Sequence, residues 1–155
     1  MATDELGVQT KIIKSVRKDG GYGRKCSNRF AIGVPDLLVA LRPFAPCYIE
    51  VKDFGKVNDK FDRQVDITEK QAYELELFSK PYEDAGLGRV GFVAVSIVHR
   101  GEHRLVLGPR EMARLSSDYE ATPGMWVKRE VGGYYNLSPM LRYWNAAKAR
   151  ERHHL

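Results

Sequence analysis

The stretch RVGFVAVSIVHRGEHRLVLG, residues 89–108, constrains the fold more than any other part of the chain. Apolar residues, many of them β-branched, fill both halves of this stretch, and the polar segment HRGEH separates them. Residues of this kind favour strands, and an apolar run with little polar alternation is typical of a strand that is buried in a sheet. We therefore predict a buried strand that enters a hairpin, within a sheet that is sandwiched by helices.

A first helix is predicted from about Asp4 to Lys18, with Thr3 as its N-cap. Ile12 and Val16 recur at helical spacing, and the glycine-rich segment DGGYG that follows should end the helix. Glu5 falls on the same stripe of the helix as these apolar residues, which is an unusual place for a carboxylate. It is expected to point inward or toward the edge of a cleft.

A second helix is predicted to begin at Thr68, because the segment TEKQ matches a capping box in which Gln71 reaches back to the helix start. Pro81 should end or kink this helix. The other expected elements are strands at 22–30, 35–41 and 47–52, a short helix at 110–115, a strand at 125–131 and a basic helix at 138–152. The order helix, three strands, helix, strand, then an accessory hairpin and a C-terminal helix indicates an α/β fold with a central mixed sheet flanked by helices.

Length and composition favour a single domain over residues 1–155, because the chain is 43% hydrophobic and too short for two ordinary cores. The sequence contains no apolar run of about eighteen residues, so no membrane span is expected. The N-terminus carries acidic residues rather than the features of a signal peptide, which favours a cytoplasmic protein. Cys26 and Cys47 lack the spacing of metal ligands and are expected to be small buried thiols.

The charge is unevenly distributed along the chain, although the net charge is only +5. Residues 1–35 carry seven Lys or Arg against three Asp or Glu, and residues 136–155 carry four against one. Basic ends around a slightly acidic middle suit a protein that attracts a phosphate backbone and holds a metal ion on carboxylates. Ordinary solvated lysines are the alternative explanation.

One acidic residue, Asp36, interrupts the apolar segment IGVPDLLV, and the segment YIEVKD follows after a tight turn. Side chains alternate between the faces of a strand, so Glu50 and Lys52 share one face. If the two strands are antiparallel neighbours, Asp36 comes near Glu50, and two acids then face one another beside an ammonium group.

Two close acids cannot both be ionised without a compensating cation. A divalent metal ion is the simplest compensation, and oxygen ligands suit Mg²⁺ or Mn²⁺. The pair of acids therefore predicts a metal site of this class.

At this point the sequence resembles a known group of enzymes. Pro35-Asp36, a spacer and then Glu50-Val51-Lys52 are similar to the motif of the PD-(D/E)XK nuclease superfamily. The segments GVPDLLV, YIEVK and ITEKQ together resemble its VRR-NUC and Holliday-junction-resolvase-like branches. The resemblance covers roughly residues 4–97 and implies a restriction-endonuclease-like core, with residues 98–155 as a C-terminal extension.

The resemblance also implies roles for particular residues. The catalytic residues that it implies are Asp36, Glu50, Lys52 and Gln71, and the metal ligands are Asp36, Glu50, the carbonyl of Val51 and Glu5. Basic residues expected near the nucleic acid are Lys11, Lys14, Arg24, Lys25 and Arg29.

The implied activity is Mg²⁺- or Mn²⁺-dependent cleavage of DNA, in a phage, mobile-element or repair context. A Holliday-junction resolvase is one alternative, and it requires a homodimer because two symmetric strands are cut. A nucleic-acid-binding protein that keeps the fold without cleaving is the alternative from another class.

Each of these residues has a structural explanation as well. Asp36 could cap a turn after the proline, and Glu50 with Lys52 could form a weak surface pair. Glu5 could compensate the helix dipole. Gln71 could serve only the capping box, and the long connection before it makes Gln64 a rival for its place.

Overall fold

A computed structural model describes residues 4–26, 34–122 and 124–153, with side chains as far as Asn145. Within these ranges the chain forms three α-helices and eight β-strands. In chain order they are α1 (Glu5–Lys18), β1 (Tyr22–Lys25), β2 (Leu37–Ala40), β3 (Cys47–Val57), β4 (Asp62–Gln64), α2 (Glu69–Asp84), β5 (Gly91–His99), β6 (Glu102–Pro109), β7 (Arg114–Ser116), β8 (Met125–Lys128) and α3 (Ser138–His153).

Six strands form one mixed sheet in the order β1-β2-β3-β5-β6-β8, and β4 pairs with β7 separately. Strands β1 to β3 are antiparallel neighbours, whereas β3 and β5 are parallel and are joined by a connection that contains β4 and α2. A parallel pair needs a crossover of this kind, and a helix in the crossover covers one face of the sheet. The predicted α/β class with a central mixed sheet flanked by helices is confirmed.

Alternation along the strands divides the core between the two faces of this sheet. Ile49 and Val51 of β3 lie in a buried cluster with Ile12 and Val16 of α1. The opposite face of the sheet contributes to a second buried cluster, which contains Leu75 of α2. The alternation therefore places β3 between the two helices, with odd and even side chains in different environments.

The C-terminal elements are part of the same sheet and core. Strands β6 and β8 continue the six-stranded sheet beyond β5. Leu137, Met140 and Leu141, at the start of α3, are buried in the cluster that also contains Ile12 of α1. The predicted hairpin at residues 89–108 is confirmed as β5 and β6, and β5 is buried along most of its length.

The N-cap of α1 differs from the prediction. The cap is Asp4, whose side chain accepts a hydrogen bond from the Gly7 amide, whereas Thr3 lies outside the described residues. Aspartate and threonine are both good caps, so the sequence offered two adjacent candidates. A carboxylate in this position also compensates the positive end of the helix dipole.

Two expectations around the second helix and the segment after β6 were wrong in detail. Helix α2 does not end at Pro81 but continues to Asp84, because the proline lies in the last turn, where it removes only one amide hydrogen bond. Residues 110–115 do not form a helix: a turn leads into β7, which pairs with β4.

Among the described helices, none is long and apolar enough to cross a membrane.

Candidate active site

The pairing of β2 with β3 brings Asp36 to Glu50. Leu37 is opposite Ile49 in the antiparallel register, so the residue before Leu37 comes level with Glu50. The Asp36 carboxylate accepts a hydrogen bond from the Val51 amide, with 2.8 Å between Oδ2 and N, and it also contacts the carboxyl group of Glu50. The proximity that the strand pattern predicted is therefore present.

Glu50 is held in an environment that disfavours its charge. Its side chain is buried, with only 3% of the residue exposed, and Oε2 has no hydrogen-bond partner. Burial, together with the neighbouring Asp36, raises the pKa of Glu50 to about 9, although the Lys52 ammonium lowers it. An unpartnered buried carboxyl oxygen beside a second acid is costly unless a proton or a cation compensates it.

Gln71 connects the acid to the lysine. Its Nε2 donates to Glu50 Oε1 at 3.2 Å, and its Oε1 accepts from Lys52 Nζ at 3.2 Å. The same Oε1 accepts from the Thr68 amide at 3.1 Å, which completes the predicted capping box. Gln71 therefore serves the capping box and also contacts Glu50 and Lys52, whereas its rival Gln64 lies exposed in β4.

The side-chain amide of Gln71 serves both the helix cap and the site, so the start of α2 positions Glu50 and Lys52. The Thr68→Ala substitution should lower the free energy of unfolding by about 1 kcal/mol, since it removes an N-cap acceptor from the Gln71 amide. Thr68→Ser keeps the hydroxyl and is the matched control. Urea denaturation measures both variants, and equal stability of the alanine and serine variants would contradict the capping role.

Glu5 lies at the rim of the site, on the first turn of α1 and half-buried. Burial raises its pKa, the charge of Lys52 lowers it, and the charges of Asp36 and Asp53 raise it. These influences place Glu5 within electrostatic reach of the acidic pair. It is therefore positioned as an additional acid at the edge of the site.

The predicted basic residues occupy α1 and β1. Lys11 is half-buried on α1 and Lys14 is exposed on it, and Arg24 and Lys25 are exposed at the end of β1. Lys25 is opposite Leu37, which directly follows Asp36. Arg29, which was also predicted to contact nucleic acid, lies outside the described residues.

Asp53 was missed by the sequence reasoning and fastens the site to α1. Its Oδ2 accepts from the Asp4 amide at 2.7 Å, and its Oδ1 accepts from Ser96 Oγ at 2.6 Å and from the Gly55 amide at 3.0 Å. Gly55 has φ +65° at an irregularity in the pairing of β3 with β5, a conformation that glycine adopts without strain. The sequence did contain a signal for Asp53: an acid stands directly after the EVK segment, and a glycine follows two residues later.

The donor set at this site consists of oxygen atoms. Asp36 and Glu50 offer carboxylates, and the Val51 carbonyl points to the same edge of β3 as the Val51 amide, because the amide and carbonyl of a strand residue share a direction. Within the described ranges there is no group of three or more His, Cys, Asp or Glu side chains that could hold a metal ion. Mg²⁺ typically uses only one or two protein carboxylates together with waters and phosphate oxygens, so the acidic pair with its unpartnered oxygen fits an ion of this class.

Comparison of the chain with protein-family models and with curated proteins finds no match. The functional assignment below therefore rests on the geometry and chemistry of the site.

Proposed function

We propose that this protein is a divalent-metal-dependent DNA endonuclease with a site of the PD-(D/E)XK type. The observation that carries the proposal is the contact between Asp36 and Glu50 next to Lys52, with a buried Glu50 oxygen that has no protein partner. A protein gains no stability from such a pair of acids, so a functional reason for keeping it is favoured.

Each residue of the site has a part in the proposed hydrolysis of a phosphodiester. Asp36, Glu50 and the Val51 carbonyl would hold Mg²⁺ or Mn²⁺, which when bound supplies positive charge beside a phosphoryl oxygen. The Lys52 ammonium, held by Gln71, is available to stabilise negative charge that develops on the phosphate. Glu5, at the rim, would add a further negative charge near the ion.

The connectivity also supports the proposal. A helix, three antiparallel strands, a crossover helix and a parallel strand succeed one another in α1, β1 to β3, α2 and β5. This succession is similar to the order expected for a restriction-endonuclease-like core, to which β6, β8 and α3 would be additions. Asp36 lies directly before β2 and Glu50 lies within the neighbouring strand β3, where such a core would carry its site.

The test of this function is a cleavage panel of single strands, duplexes, flaps and four-way junctions, each incubated with Mg²⁺, Mn²⁺ or EDTA. We expect cleavage of at least one DNA substrate with either metal ion and none with EDTA. Binding of the same substrates without cleavage under all three conditions would favour the nucleic-acid-binding alternative. Symmetric cutting of the four-way junction by a species with twice the monomer mass would favour the resolvase alternative.

A further inference from the structure

A second cleft lies beside the candidate active site, between α1 and the strands β3, β5 and β6. It encloses about 280 Å³, and its lining includes Lys11 of α1, Lys56 of β3 and His103 of β6. Arg129, just after β8, donates its backbone amide to the carbonyl of His103 at 2.8 Å. Three basic side chains, from α1, β3 and β6, therefore line one cleft, and the charge of Arg129 is close enough to lower the pKa of His103.

The positive charges of this cleft form no direct ion pair with a carboxylate in the described part of the chain. Within the described part of the chain, neither Lys11 nor Lys56 nor Arg129 has a carboxylate oxygen within 4.0 Å, although Lys11 and Arg129 are half-buried. Burial lowers the pKa of His103, and the charges of Arg129 and Lys11 lower it further, although Asp53 opposes them. Repulsion between half-buried cations is relieved when an anion binds between them.

The acids in the wall of the cleft do not supply that anion. Asp53 already accepts three hydrogen bonds, from the Asp4 amide, Ser96 and the Gly55 amide. Asp4 itself caps α1 through the Gly7 amide. Their carboxylates are therefore committed to holding α1 against β3, and the cations remain available to a ligand.

The position of the cleft identifies the class of anion. Lys56 follows Lys52 by four residues on β3, so the two ammonium-bearing residues are separated by about 13 Å or less along the strand. On α1, Lys14 and Lys18 follow Lys11 at helical spacing and are exposed, so they extend a basic row away from the cleft. A pocket that continues into a row of cations suits a polymer of phosphates better than a single free anion.

We propose that this cleft binds a backbone phosphate of DNA on one flank of the cleavage position, through Lys11, Lys56 and His103. The inference deepens the proposed nuclease function and rests on it. The contact is made to phosphate, so it contributes affinity and position along the DNA rather than recognition of a base sequence.

The test measures binding of a short fluorescent duplex in EDTA, so that cleavage does not enter. The Lys11→Gln/Lys56→Gln variant should bind roughly tenfold more weakly at physiological salt, because two phosphate contacts are lost. The slope of log affinity against log salt concentration should become shallower by about 1.8 for the same reason. The Lys11→Gln variant alone should show about half of that change in slope. All variants should keep the melting temperature of the wild type within a few degrees.

A control variant, Lys80→Gln/Arg114→Gln, removes the same charge from α2 and β7, on the other side of the sheet. It should bind the duplex as the wild type does. Equal weakening by both double variants would show a nonspecific effect of net charge and would overturn the proposal. A salt dependence of binding in Lys11→Gln/Lys56→Gln equal to that of the wild type would also overturn the proposal. Displacement of the duplex by inorganic phosphate at a similar molar concentration of phosphate groups would overturn it as well.

Failure of the phosphate site and failure of the nuclease function give different results. A wild type that cuts DNA with Mg²⁺, together with unchanged binding by Lys11→Gln/Lys56→Gln, contradicts only the phosphate site. A wild type that binds the duplex with the predicted dependence on Lys11 and Lys56 but never cuts contradicts only the nuclease. Absence of duplex binding by the wild type contradicts the phosphate site, whereas absence of cleavage across the whole substrate panel contradicts the nuclease.

Discussion

Replacement of Asp36 by asparagine should slow DNA cleavage with saturating Mg²⁺ by at least about a thousandfold, because the site loses one of the two carboxylates proposed to hold the metal ion. Asparagine keeps a side-chain oxygen that can accept the hydrogen bond from the Val51 amide, so the β2–β3 pairing should persist. DNA binding in EDTA should change little. Lys52→Ala should be similarly inactive, since no other ammonium group is held by Gln71 in the described part of the chain.

The matched control for this prediction is Asp59→Asn. Asp59 is a surface carboxylate that pairs with Arg100, and 78% of its side chain is exposed. Its substitution should leave cleavage unchanged, because an exposed ion pair contributes little. Comparable cutting by the wild type and Asp36→Asn would show that the activity belongs to another site or to a contaminant.

The second large effect concerns stability. In EDTA, Glu50→Gln should be more stable than the wild type at pH 8. The difference in the free energy of unfolding between the two proteins should change in favour of Glu50→Gln by up to about 2.7 kcal/mol from pH 6 to pH 8. The glutamine can accept from Gln71 as Glu50 does, and its amide can donate to Asp36 without carrying a charge. The variant should at the same time be inactive as a nuclease.

The direction of this pH dependence follows from the raised pKa of Glu50. The folded protein holds the proton up to about pH 9, whereas the unfolded chain releases it near its ordinary value of 4.5. Between these values the unfolded state binds fewer protons, so the free energy of unfolding falls as the pH rises, by at most about 1.4 kcal/mol per pH unit. This stabilising contribution is fully present below pH 4.5 and is lost as the pH rises through about 9.

Urea denaturation of the wild type and of Glu50→Gln from pH 6 to pH 8 measures the effect. Addition of Mg²⁺ should restore stability to the wild type at pH 8, because a bound cation compensates the acids, and should have little effect on Glu50→Gln. Parallel stability curves for the two proteins across this pH range would show that Glu50 is not held in its protonated form.

Much of the secondary structure could be predicted because the signals are local. The capping box at Thr68 and the apolar stripe of α1 depend on residues within two helical turns, and both were confirmed. The β4–β7 pair could not be predicted, because Asp62–Gln64 is short, polar and exposed, and it becomes a strand only through its partner Arg114–Ser116. Strand propensity is weak where the pairing partner is distant in sequence.

The predictable part of the candidate site is the part whose residues lie close together in the sequence. Asp36, Glu50 and Lys52 lie on two strands joined by a short connection, so alternation and antiparallel pairing were enough to bring them together. The choice between Gln71 and Gln64 was different, because either could have reached the site from a long connection. Only the packing of α2 on β3 places the side-chain amide of Gln71 between Glu50 and Lys52.

The sequence by itself determined the class of fold, the caps of α2 and the meeting of Asp36 with Glu50, because each depends on spacing within a helix or a hairpin. The tertiary structure alone decided that Glu50 is buried with an unpartnered oxygen and that Asp53 fastens α1 to β3. It also decided that Lys11, Lys56 and His103 line one cleft. Burial and the convergence of distant charges depend on how the helices pack on the sheet, and no local pattern encodes that packing.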